Sequence, residues 1–237
     1  WRGRALELAS ASSFAPAWTK HITEIPFYFR PGVINECPRF ANVLANPRIL
    51  SVVRKCLGAS PSLASLSLVV HETDTPEGPW RRGGTFTAVP NGAPPTFEKA
   101  GRFPSHLVAC WLISDFTRES GGLRILPNSH LPGARASEGV ALEGTKGPAR
   151  GERTVTAPAG SVILLDGRLW SAIAANPSDF PRLSLMVDYV PDQEGKSAAT
   201  EFQRMAREVT PTMPEAVFHR LPAAMQSLFR YWVRKSG

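Results

Sequence analysis

The sequence predicts a mainly β fold of the jelly-roll or related barrel type, with helices before and after it. Three observations carry this: a succession of short apolar stretches, turn residues between them, and 22 prolines with 19 glycines that follow no collagen-like period. A chain of 237 residues that is 43% hydrophobic can fill one sizeable core, so disorder is excluded and a single domain over 1–237 is expected.

The helical part spans 37–58. Its clearest helix starts at Asn46, a capping side chain, with Pro47 in the first helical position and Gly58 as the stop; Ile49, Leu50, Val53 and Leu57 share one face. After the Pro61 turn, Leu66, Leu68 and Val70 alternate with Ser65, Ser67 and Val69, the period of a strand. Further strands are expected at Thr85 to Val89, Leu107 to Ser114, Leu123 to Leu126, Arg153 to Thr156, Ser161 to Leu165, Arg168 to Ala174 and Arg182 to Val190, giving a core over about 63–190. Asn91-Gly92, Gly121-Gly122, Pro127-Asn128, Asp166-Gly167 and Asn176-Pro177 supply turns between them. Leu131 to Gly151 has no period and reads as an exposed insertion. From 198 to 235 the chain is helical again, with Phe218, Leu221, Met225, Leu228, Phe229 and Trp232 as an apolar stripe.

The formal charge of +7 favours an acidic partner or an anionic substrate, but basic and acidic residues are interspersed and no nucleic-acid motif occurs, so specific nucleic-acid binding is not expected. No apolar run approaches a bilayer span, and a soluble protein with no transmembrane segment is expected. Cys37, Cys56 and Cys110 are odd in number and widely spaced, which reads as reduced thiols in a reducing intracellular compartment, cytoplasm or organelle interior. A chain beginning at Trp1 reads as a processed or partial product.

Three segments together carry a resemblance: Asn46-Pro-Arg-Ile-Leu through Gly58; Cys110-Trp-Leu-Ile-Ser-Asp through Gly121-Gly-Leu-Arg-Ile-Leu-Pro-Asn-Ser-His130; and Pro158-Ala-Gly-Ser-Val-Ile-Leu-Leu-Asp-Gly-Arg-Leu-Trp170 with Asn176-Pro-Ser and Arg182. From about Ala41 to Tyr189 the chain resembles the phytanoyl-CoA dioxygenase-like branch of the Fe(II)/2-oxoglutarate oxygenases. The resemblance implies a double-stranded β-helix, the cupin-like jelly roll, and a metal held by His-x-Asp and a distant His, with Fe(II) and 2-oxoglutarate as cofactors.

On that resemblance the distant His position falls on Ser171, and the first pair is placed at Thr87 and Val89. Two neutral hydroxyls and a hydrocarbon are poor partners for a divalent iron, so these three read as former metal-ligand positions. The expectation is therefore a protein without catalytic residues, metal or cofactor. Relocated ligation through His71, Glu72 and Asp74 stays open as an alternative, although His71 and Asp74 are three apart and would face opposite sides of a strand. Arg182 lies where the family places the arginine that clamps 2-oxoglutarate, and its planar fork suits a carboxylate or other anion; an ordinary ion pair with Asp179 or Asp188 is the plain alternative. His130 reads as fixing a loop by hydrogen bonds, His106 and His219 as partly exposed structural residues, and Trp111 and Trp170 as core. The function expected is a non-catalytic, oxygenase-fold binding or structural subunit of a larger protein assembly. Its contact regions are expected on the basic helix from Pro214 to Lys235 or the Leu131 to Gly151 insertion; the plain alternative for the helix is that Phe218, Leu221, Met225 and Phe229 cover the protein's own sheet. The alternatives are an active 2-oxoglutarate-dependent hydroxylase or a metal-independent enzyme using the old pocket.

Overall fold

The computed structural model describes residues 28–82, 106–131, 144–191 and 212–230, together with 3, 5, 7, 104, 142, 232 and 233. The elements are β1 (Tyr28–Pro31), α1 (Val33–Glu36), α2 (Phe40–Leu44), α3 (Pro47–Leu57), β2 (Ser62–His71), β3 (Leu107–Leu112), β4 (Leu123–Ile125), β5 (Arg153–Val155), β6 (Val162–Asp166), β7 (Ser171–Ile173), β8 (Arg182–Val190), α4 (Glu215–Phe218) and α5 (Ala223–Phe229). Helix α3 forms as its residues dictate: the Asn46 side chain accepts from the N–H groups of Arg48 (3.0 Å) and Ile49 (3.4 Å), while Leu50, Val53 and Leu57 are buried. At its end Gly58 takes a φ of 100°, which a side chain would resist.

A five-stranded antiparallel sheet, β1-β2-β8-β3-β6, lies over a three-stranded one, β5-β4-β7. Both faces of the large sheet are covered. Leu66, Leu68, Val70, Leu185 and Val187 meet the helices, whereas Val69, Val108, Cys110 and Met186 meet Leu123 and Ile173 of the small sheet. Alternation in β2 thus separates a helix-facing apolar row from a row containing Ser65 and Ser67 that looks into the barrel. A register shift between Leu63 and Ser65 changes the parity and lets Leu63 join the helix-facing row.

Several expectations are corrected. The strand expected from Arg168 starts only at Ser171, because the Asp166 carboxylate takes the Arg168 N–H (2.9 Å) and pairs with its guanidinium (2.7 Å), closing a turn. The far half of the expected exposed insertion is stitched to the body: the Trp80 indole N–H donates to Gly147 O (2.9 Å), and Ala149 is buried. The C-terminal stripe covers the protein's own large sheet: Leu221, Met225, Leu228 and Phe229 join the main core, and the Trp232 indole N–H donates to Leu63 O (2.9 Å). Little of that stripe is left for docking. The strand expected at Thr85 to Val89 lies outside the described residues. Cys37 and Cys110 are buried, Cys56 is half-buried, and all three are free. No helix among the described residues is long and apolar enough to cross a membrane.

Candidate functional site at the barrel mouth

Ser171 opens β7 and is 8% exposed. Its parity is that of Ile173, and its cross-strand partner on β4 is Ile125; both isoleucines pack in the cluster between the two sheets, so the hydroxyl sits on the inner face. On its other side Ser171 is bridged to Arg81, whose N–H donates to Ser171 O (2.9 Å) while the Ser171 N–H donates to Arg81 O (3.0 Å). Gly78 N–H donates to Ile173 O (2.8 Å), so residues 78–81 run antiparallel along β7. The residue beside Ser171 is therefore an arginine. Thr87 and Val89 lie outside the described residues. No expectation was attached to Arg81, since the residues around it carry no strand period, whereas the backbone of 78–81 runs alongside β7. The available signal was the short return segment that must follow β2.

Arg82 stands over the Trp170 ring (5.0 Å to its centre) and donates to Ser129 O (3.1 Å), adding a second positive charge at this end. The loop carrying His130 is held by its neighbour: Ser129 Oγ accepts the Trp170 N–H (2.9 Å), whereas His130 Nδ1 is buried with no hydrogen bond. That corrects the role expected for His130. His106 is buried, not partly exposed; it has the inward parity of Val108 and Cys110, and its ring occupies the space a Cβ on Gly167 would need. His219 is exposed as expected, 3.5 Å from Glu215. Trp111 and Trp170 are both core residues.

Arg182 begins β8, opposite His71 at the end of β2, and is fully buried. Its Nη2 donates to Ala174 O (2.9 Å) and its Nη1 to Ser120 O, the guanidinium carbon lies 4.9 Å from the centre of the Phe116 ring, and Nε is buried without a partner. Neither Asp179 nor Asp188 pairs with it. Gly121, at φ 76°, must lack a side chain because a Cβ would collide with Ala175 O and with Arg182 itself. Burial lowers the Arg182 pKa to about 10, the Cys110 sulfur opposing the shift. Burial, reinforced by the charge of Arg182, holds His71 well below the usual imidazole range and so neutral. Cys110 is pushed up to about 12 by burial, against a hydrogen bond with Ser184 and the charge of Arg182, and stays a thiol.

The relocated ligand set does not assemble. His71 is buried at the strand end, Glu72 is exposed, and Asp74 sits in a left-handed turn (φ 54°) with an exposed side chain. Among the described residues no three His, Cys, Asp or Glu side chains gather where a metal could be held.

The phytanoyl-CoA dioxygenase (PhyH) family profile matches residues 20–184. The chain belongs to the phytanoyl-CoA dioxygenase family. Compared by sequence, no curated protein matches it. Solved structures share its double-stranded β-helix fold. HygX from Streptomyces hygroscopicus, with nickel and 2-oxoglutarate bound, is 18% identical with a TM-score of 0.58 over 80% of this chain and 76% of that one. EctD from S. alaskensis with bound Fe is 20% identical, with a TM-score of 0.55 over 80% and 66% of the two chains. The epimerase SnoN in complex with Fe3+, alpha ketoglutarate and nogalamycin RO is 16% identical, with a TM-score of 0.54 over 83% and 80%.

The family and these metal- and 2-oxoglutarate-bound neighbours overturn the expectation of a protein to which no cofactor belongs: Fe(II) and 2-oxoglutarate are what the family implies. The described residues fit the two unequally. Among the described residues Arg182 is a buried cation with no carboxylate paired to it and an orphaned Nε, which suits the acid end of 2-oxoglutarate. Ser171 and Arg81, a neutral hydroxyl beside a cation, do not suit a divalent metal.

Proposed function

We propose that this member of the family is non-catalytic and acts by binding, as a subunit of a larger protein assembly whose barrel accepts a small organic acid. The observation that carries the reading is the pairing of Ser171 with Arg81, since the resemblance places the distant metal-binding histidine at Ser171. A hydroxyl that stays protonated at neutral pH offers little to Fe(II), and a guanidinium on the adjacent strand repels it. Arg182 supports the acid-binding half, because a buried guanidinium without an anion is costly and a carboxylate would compensate it.

Family membership favours a second reading, an active 2-oxoglutarate-dependent oxygenase with ligands drawn partly from outside the described residues. A turnover assay separates the two. With Fe(II), ascorbate and 2-oxoglutarate supplied, the expected result is no succinate above the protein-free blank. Sustained release of succinate by the purified protein refutes the non-catalytic reading.

A further inference from the structure

We propose that Arg81 and Ser171 form a carboxylate-binding site of their own at the barrel mouth, one that takes the acid end of a small organic acid directly on the guanidinium. This deepens the acid-binding reading and rests on it. The two backbones exchange both hydrogen bonds, so the residues are a directly opposed pair and their side chains leave the sheet on the same face. That face is the inner one: Ile173 and Ile125 share it with Ser171, whereas Trp80 and Ala172, of opposite parity, pack in the separate cluster outside the small sheet.

What distinguishes Arg81 is its lack of acceptors. Its Nε is buried without a hydrogen bond, and among the described residues its guanidinium has no ion pair or hydrogen bond. Among the described residues the buried arginines spend their terminal nitrogens within the protein, Arg124 on Glu77 and Glu152, Arg168 on Asp166, and Arg182 on two carbonyls although its Nε stays unpartnered. A donor fork half-enclosed by protein, with a buried hydroxyl on the next strand, lacks only the acceptor. A carboxylate is planar, carries one charge, and can take two parallel N–H bonds from the fork while accepting the Ser171 O–H. Phosphate would bring a second charge and further oxygens against one guanidinium and one hydroxyl. Arg82, stacked on Trp170 next to the site, adds attraction for any anion entering.

Calorimetric titration of the whole chain in buffer containing EDTA tests this, with 2-oxoglutarate, succinate and inorganic phosphate as probes. The wild type is expected to bind both carboxylates and to bind phosphate at least tenfold more weakly. Arg81→Met should weaken carboxylate binding at least tenfold, with Arg81→Lys falling between Met and wild type because a point charge lacks the fork. Ser171→Asp supplies an internal carboxylate beside the guanidinium; it should weaken carboxylate binding at least tenfold and raise the melting temperature, which keeps the test decisive even if Arg81→Met folds poorly. Wild-type protein that binds neither carboxylate, phosphate bound as tightly as succinate, or carboxylate binding unchanged in Ser171→Asp would each overturn the proposal. Succinate release with Fe(II) supplied would instead remove the non-catalytic reading, whatever the titrations in EDTA give.

Discussion

Asp188 makes the stability of this protein depend on pH in an unusual direction. It lies on the inner face of β8, opposite Ser65 of β2 and Val108 of β3, and is completely buried. Ser65 Oγ donates to its Oδ2, but Oδ1 has no partner. Burial raises its pKa to about 7, the Ser65 bond pulling the other way. In the unfolded chain the same group titrates near about 3.9, so between pH ~4 and ~7 the folded state keeps a proton that the unfolded state has lost. Stability must therefore fall as pH rises through this window and level off above it. At about 1.4 kcal/mol per pKa unit the whole effect is on the order of 4 kcal/mol, with about 3 kcal/mol of it between pH 5 and pH 8. That is a large share of a typical folding free energy of about 5–15 kcal/mol. Asp188→Asn keeps the acceptor for Ser65 and removes the titration. His71, held neutral by burial, gives a slope of opposite sign, so the quantity to read is the difference between the two proteins. Urea unfolding followed by circular dichroism at pH 5 and pH 8 should show the variant gaining about 3 kcal/mol on the wild type across that interval. Parallel pH profiles would refute the reasoning.

Two further predictions concern the supports of the barrel ends. Asn176, fully buried, donates through Nδ2 to His71 O (3.2 Å), Glu72 O (3.0 Å) and Phe180 O (2.9 Å), and Asn176→Ala should cost about 2–3 kcal/mol in denaturant titrations because those carbonyls lose their donor. Arg124, sandwiched between Glu77, Glu152 and the Trp80 ring, ties the 144–152 segment to the small sheet; Arg124→Gln should cost about 3 kcal/mol and speed proteolysis between Gly144 and Gly151. Burial raises the Glu152 pKa, but hydrogen bonds from Arg124 and the Ala149 N–H together with the Arg124 charge outweigh it, leaving the carboxyl below its usual range. Its contribution is thus fully present above the unfolded pKa of about 4.3 and is lost as pH falls through the lower folded value, a loss that should be smaller in the Arg124 variant, which keeps only the Ala149 N–H bond.

By itself the sequence determined what depends on neighbours along the chain. Asn46, Pro47 and Gly58 bound a helix through contacts within a few residues, and the alternation from Ser65 to Val70 states a strand whose two faces differ. Dense motifs around Asp166-Gly167 and Arg182 led to the family and hence to the barrel, and to Ser171 and Arg182 as the positions to examine. Tertiary structure decided what depends on strands meeting across the barrel. Nothing local in Pro79-Trp-Arg81-Arg82 says that Arg81 will lie against Ser171, ninety positions further on; that follows from two backbone hydrogen bonds formed only when the segment after β2 folds back along β7. Nor does the Val187-Asp188-Tyr189 stretch say that Asp188 will be sealed from water, since an inward position in a strand is costly for a carboxyl only once the opposite sheet closes over it. The apolar C-terminal stripe was equally legible as a docking face or as a cover, because amphipathicity specifies that a face will be buried but not against what; packing of Met225 and Phe229 against the main core decided it.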